Sequence, residues 1–216
     1  LQASGTGSPQ EMYTAGNSDI MNCPGSWIFF DRQTYAENPM KFTVVCTDLD
    51  TGKPVYHECP NGDVEDIEWM RASASIPVAS RPVKLGGKRL LDGGVSDPIP
   101  VKWMLSRGYE KNVVVLTRDV KYRKKANPKM QLFLKAVLHK YPAFLKDLEE
   151  RHIHYNETLE ELASLEKEGR IHIIRPSSPI QAAMIERDES NLERIYQTGR
   201  ADMKKDLEKL KAYLDS

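Results

Sequence analysis

Asp92 ends the short apolar stretch Arg89 to Leu91 and is followed at once by Gly93 and Gly94. A carboxylate at the C-terminal end of a strand, ahead of a helix, stands where open α/β sheets hold their ligands. The two glycines are expected to take positive φ in a tight reversal. Pro98 and Pro100 cannot donate to a central ladder, which argues against a second hairpin strand after the turn. They suit a helix start, where Ser96 or Asp97 can cap the free N–H groups. A plain D-G turn is the commoner use of such a dipeptide. The two prolines tip the reading towards a site.

Other pieces of the chain join this segment. Asn38-Pro39-Met40-Lys41-Phe42 leads into Val44-Val45-Cys46-Thr47 and then the turn Asp48-Leu49-Asp50-Thr51-Gly52. Arg71-Ala72-Ser73-Ala74-Ser75-Ile76-Pro77 precedes the strand that carries the acid, and Arg175-Pro176-Ser177 lies near the C-terminus. With Asp92-Gly93-Gly94 and Pro100-Val101, their order and spacing resemble the patatin-like phospholipases over roughly the last four-fifths of the chain. The small bacterial, cytoplasmic members are the most similar.

The resemblance implies an α/β fold, a three-layer α/β/α sandwich with a mostly parallel central sheet. It also implies hydrolysis of lipid or small acyl esters by a Ser–Asp dyad, with no metal or organic cofactor. Asp92 would then orient the serine and take its proton, with Gly93 and Gly94 completing the motif. N–H groups of a glycine-rich loop would hold the oxyanion. The family's G-x-S-x-G elbow does not occur in these 216 residues. Gly16-Asn17-Ser18-Asp19 supplies half of it, with Ile20 where the second glycine belongs. Residues 1–40 are accordingly expected to be a remnant or incomplete N-terminal part of the hydrolase domain, and 41–216 its α/β core with C-terminal helices. The sequence names no nucleophile.

Two rival functions come from other classes. Asp48 and Asp50 form a D-x-D at a strand end, the arrangement of Mg²⁺-dependent phosphatases that pass through an aspartyl-phosphate. Thr51-Gly52 reverses their usual Gly-Thr order, and the hairpin signal that follows fits a turn better. The other rival is a non-catalytic α/β binding module. Histidines offer less: His152 and His154 would project about 200° apart on a helix, and His57, His139 and His172 are isolated in sequence. Trp27, Trp69 and Trp103 read as packing residues.

Lys+Arg number 31 and Asp+Glu 31, so the overall charge calls for no nucleic acid. The basic run Lys121, Arg123, Lys124, Lys125 is the exception, and could attract an anionic membrane surface. No apolar run approaches the ~20 residues of a membrane span. Three cysteines without C-x-x-C spacing suit reduced thiols and a cytoplasmic setting.

The elements that must position these residues alternate along the chain. Lys41 to Thr47 is expected as a strand, turning into Pro54 to Glu58. Asp63 should cap a helix with Val64, Ile67 and Met70 on one face. The strand ending at Asp92, a helix over about Pro100 to Ser106 closed by Gly108, and the run Val113 to Leu116 should make a right-handed βαβ unit with a buried parallel strand. Helices opening at Asn127-Pro128 and after Pro142, a strand over Ile171 to Ile174 and an amphipathic C-terminal helix complete the reading. That last helix carries a stripe of Leu192, Ile195, Tyr196, Met203, Leu207, Leu210 and Leu214, expected to pack on its own domain.

Overall fold

The computed structural model describes residues 31–183 and 186–216, with the backbone course of 20–23 and 26–29. Ser18 lies outside the described residues, as do residues 1–19 generally. β1 (Ile20–Cys23) pairs antiparallel with β2 (Ser26–Phe29). The short α1 (Arg32–Glu37) follows, capped by the Asp31 side chain. The chain divides into two compact units, Leu1–Gly94 and Val95–Ser216.

In the first unit, β3 (Thr43–Asp48), β4 (Pro54–Glu58), β5 (Val83–Leu85) and β6 (Lys88–Asp92) form one sheet in the order β4-β3-β6-β5. Every pair in it is antiparallel. Short turns account for two of the three pairings, because a chain reversed in a few residues can only lie antiparallel to itself. Gly52 closes the β3–β4 turn at φ 73°, with its N–H donated to the Asp48 carbonyl. Gly86 and Gly87 close the two-residue β5–β6 turn with positive φ at both positions, as a type I′ turn requires.

Helix α2 (Val64–Ser73) starts at Asp63, whose carboxylate accepts the Asp66 N–H. It packs on β3, β5 and β6. Its buried side is Asp66, Trp69 and Ala72 rather than the Val64, Ile67, Met70 stripe expected from the apolar spacing. Tertiary packing overrides that weak apolar signal, and Val64 is half exposed. Val44, Cys46, Cys59, Trp69, Ala72, Val83 and Leu90 make the core of this unit.

The second unit holds α3 (Val101–Ser106), β7 (Asn112–Val115), α4 (Pro128–Leu138), α5 (Pro142–Lys167), β8 (Ile171–Ile174) and α6 (Glu189–Asp215). Gly108 follows α3 at φ 82°, the left-handed stop its sequence position predicts. β7 and β8 are parallel, and the helices α4 and α5 supply the long crossover such a pair needs. The core here is Val101, Leu162, Leu165, Ile171 and Ile173.

Mixed α/β architecture is therefore present, but parallel pairing among the described strands is confined to β7 and β8. β6 and β7 lie in separate sheets, so β6–α3–β7 is not the βαβ unit expected; that role falls to β7–α4–α5–β8. β7 is also less buried than its all-valine run suggests. Val113 and Val115 are exposed, because only the side bearing Val114 packs against the core cluster. Helix α6 has no fully buried residue. Polar ties hold it to its unit: the Tyr213 hydroxyl accepts the Asn112 N–H and donates to the Arg170 carbonyl, and His172 Nε2 meets Asp206 at 2.5 Å.

Candidate active site

Asp92 is the last residue of β6 and stands opposite Cys46 of β3. Its backbone is held from two directions. Its N–H donates to the Ser75 carbonyl at 2.9 Å, and its carbonyl accepts the Thr47 hydroxyl at 2.8 Å. The carboxylate is half-buried, and one oxygen accepts the Gly94 N–H at 2.7 Å. That bond fixes where the second oxygen faces.

The two glycines work differently from expectation. Neither Gly93 nor Gly94 has a positive φ. Gly93 is needed because β3 passes against it: a Cβ there would lie 2.2 Å from the Val45 carbonyl oxygen and 2.5 Å from its carbon. Those atoms are backbone and cannot swing aside. The same Val45 oxygen accepts the Ser73 hydroxyl at 2.7 Å.

The Arg71 to Pro77 stretch thus has a mechanical role. Ala72 is fully buried, Ser73 ties the end of α2 to β3, and Ser75 supplies the carbonyl that anchors Asp92. The Ser75 hydroxyl donates back to the Arg71 carbonyl at 2.8 Å. Both serines are helix-end residues, as their sequence context suggests, with their hydroxyls bonded to backbone.

The rival D-x-D is a braced turn. Asp48 accepts the Asp50 N–H at 3.0 Å and faces Lys88 at 3.3 Å, while Asp50 pairs with Arg89. Burial pulls the Asp48 carboxyl upward, but the Asp50 N–H and the Lys88 ammonium outweigh it and hold the group below its ordinary value. Both acids are engaged with bases on β6.

The basic segment after β7 is braced by its neighbours. Arg118 lies over the Tyr122 ring and Lys124 over Tyr155, each at 5.1 Å, and Asn156 of α5 brackets the Lys124 backbone through its N–H and carbonyl. Asp119, Lys121, Tyr122 and Ser177 help line a cavity of about 400 Å³ beside it. His152 and His154 make separate contacts with neighbouring glutamates of α5 and share no site. One cluster escaped the sequence reading. His57, Cys59 and Asp66 converge at the end of β4 and the start of α2. The i, i+2 spacing of His57 and Cys59 on an extended segment was its only signal.

With that geometry in place, the relatives are informative. A family model described as patatin-like phospholipase matches residues 27–104, a span that contains β3 to β6 and Asp92 and ends inside α3. Residues 27–104 are thus patatin-like in sequence. A second model, described as a domain of unknown function (DUF6363), matches residues 141–215. Uncharacterized NTE family proteins of Mycobacterium bovis and Mycobacterium tuberculosis are 38% identical to this chain over 63 residues. That stretch is 29% of the chain and 16% of each of these relatives. The patatin-like segment and the Asp92 turn thus coincide.

Proposed function

We propose that this chain is part of a patatin-like serine acyl hydrolase, a lipase, phospholipase or esterase, in which Asp92 is the acidic member of a Ser–Asp dyad. The observation that carries the reading is the held state of Asp92: backbone fixed by Ser75 and Thr47, carboxylate turned by Gly94, and Gly93 seated on Val45. A general base must be pre-aimed, and the backbone ties of Asp92 with the Gly94 N–H on its carboxylate support that reading. The serine hydroxyl would attack the ester carbonyl as its proton passes to Asp92. Asp92 would hand that proton to the departing alcohol as the acyl-enzyme forms. Water, giving a proton to Asp92, would then attack the acyl-enzyme, and the serine oxygen would recover that proton as the carboxylic acid leaves. Residues 1–40 as an N-terminal part of the hydrolase domain, and a three-layer α/β/α sandwich, belong to the same proposal.

In protein that carries a G-x-S-x-G serine ahead of Met40, Asp92→Asn should lower turnover of p-nitrophenyl esters at least a hundredfold with little change in melting midpoint. Asp48→Asn should keep most of the activity. The reverse ranking, with Mg²⁺-dependent phosphatase activity, would establish the D-x-D instead. Full activity in both variants would remove Asp92 from the catalytic machinery, and no activity in the parent would favour a non-catalytic module.

A lipid substrate brings a surface with it. We propose that Lys121, Arg123, Lys124 and Lys125 meet an anionic bilayer. The support is their concentration in an otherwise neutral chain and the helix that follows them. On α4, Met130, Leu132, Phe133 and Val137 are all exposed, an apolar arc flanked by lysines, as in helices that lie in a membrane interface.

A further inference from the structure

The end of β4 and the first turn of α2 bring together three side chains that ester hydrolysis does not use. His57 and Cys59 are two residues apart in extended chain and so project to one side. Asp66 meets them from the third residue of α2. One donor atom from each lies within 4.8 Å of the other two. Cys59 and Asp66 are buried, and His57 is partly open to solvent.

Each member is also held by groups outside the trio, and the Cys59 thiol lies 3.9 Å from the Asp66 carbonyl. One Asp66 oxygen accepts the N–H groups of Asn61 and Gly62, both at 2.8 Å. Its other oxygen faces His57 Nε2 at 3.5 Å, too long for a good hydrogen bond. The His57 ring is stacked on Trp69, with centroids 4.1 Å apart and planes at 8°. Cys59 is fixed through its backbone, donating its N–H to the Phe42 carbonyl and accepting the Tyr35 hydroxyl.

We propose that His57, Cys59 and Asp66 bind one Zn²⁺ ion, with the fourth position open to water. An imidazole nitrogen, a thiolate and a carboxylate oxygen suit zinc, whereas a single carboxylate is a poor cage for Ca²⁺ or Mg²⁺. Tetrahedral ligands at zinc bond lengths stand about 3.5 Å apart. The His57–Asp66 spacing of 3.5 Å already has that value. The widest pair, within 4.8 Å, needs to close by roughly 1 Å. Burial, with Asp66 and Asp63 nearby, pushes the Cys59 thiol up to about 11. On binding, His57 donates as neutral imidazole, Asp66 as carboxylate, and Cys59 releases its proton to water as the S–Zn bond forms. The two backbone N–H groups on Asp66 are the outer contacts that hold a ligating carboxylate in place. The ion would clamp the end of β4 to the start of α2.

The test uses the 216-residue chain, stripped with a chelator and titrated with Co²⁺ as a spectroscopic stand-in. The expected result is one equivalent bound, with a near-ultraviolet thiolate-to-cobalt charge-transfer band and tetrahedral visible bands. Zn²⁺ should displace the cobalt and raise the melting midpoint. Cys59→Ser should abolish the charge-transfer band, and His57→Gln should weaken binding at least tenfold. Asp66→Asn keeps an oxygen for Asn61 and Gly62, so it should weaken binding while circular dichroism stays unchanged. Cys46→Ser, which removes the other buried thiol among the described residues, should leave the band intact. A missing band in the parent, or one that survives Cys59→Ser or vanishes in Cys46→Ser, overturns the assignment. Should Cys59→Ser fail to fold, unaltered affinity in His57→Gln overturns it equally.

Discussion

At Gly93 the penalty for a side chain is steric. A Cβ 2.2 Å from the Val45 oxygen forces β3 and β6 apart where Cys46 and Asp92 pair. Gly93→Ala should therefore destabilise the fold by about 1–3 kcal/mol or more, the range for overpacked sites. Gly199 makes the matched control: it lies inside α6 with open space around its would-be Cβ. Gly199→Ala should stabilise by up to about 1 kcal/mol through helix propensity. Urea denaturation of the two variants checks both signs, and equal effects would refute the steric reading. The sequence made the D-G-G segment legible as a turn with an acid, yet suggested the wrong reason for its first glycine. Val45 is remote in sequence, and only β3–β6 pairing brings its carbonyl there. His57, Cys59 and Asp66 were hidden for the same reason. Their convergence depends on α2 folding back over the end of β4.

Elements were legible where local rules dominate and less so where pairing is long-range. Asp63, Asn127 and Asp188 each cap a helix through their own carboxylate or amide. Pro142 begins α5, and Gly108 and Gly169 stop their helices at positive φ. Strand partners are another matter, since alternation says which side is buried but not which strand lies alongside. The hairpin β5–β6 was announced by Gly86-Gly87 and went unread because β5 has only three residues. Within the β3–β4 turn, Asp48 couples charge to stability. Its folded pKa lies below the unfolded value, so its contribution is present above the unfolded carboxylate range and is lost as pH falls through the folded pKa. Asp48→Asn should therefore cost stability near neutral pH, with the gap to the parent closing below about pH 4. Thermal melts across that range read it directly, and a gap independent of pH would remove the ionic explanation.

The basic segment and α4 make a second prediction at this scale, because charge and apolar contact respond differently to salt. Neutralising Lys121, Arg123, Lys124 and Lys125 should weaken association with anionic vesicles most at low ionic strength. Phe133→Ser, on the exposed arc of α4, should weaken it by a similar factor at low and high salt. Sedimentation with vesicles of phosphatidylserine and phosphatidylcholine separates the two. Parent protein that stays in the supernatant would make the segment a solvated surface.

Over the whole molecule, the patatin-like match covers residues 27–94 of the unit that holds Asp92 and runs on into α3, while the second match covers α5, β8 and α6. A dyad needs a serine hydroxyl about 2.6–3.2 Å from the Asp92 carboxylate, exposed on a sharp strand-to-helix turn. Ser73 and Ser75 are bonded to backbone carbonyls at the end of α2, and no serine of the 216 residues sits in a G-x-S-x-G turn. The chain by itself should therefore hydrolyse no p-nitrophenyl ester and take no label from a fluorophosphonate probe. A longer form with the elbow ahead of Met40 should label on that serine, and Asp92→Asn should slow the labelling by at least tenfold because the hydroxyl loses its base. Mass spectrometry of the labelled peptide gives the site. Labelling of the 216-residue chain at Ser18 would mean that half an elbow is enough, and a longer form that labels nowhere would leave Asp92 as the anchor of a turn in a non-catalytic fold.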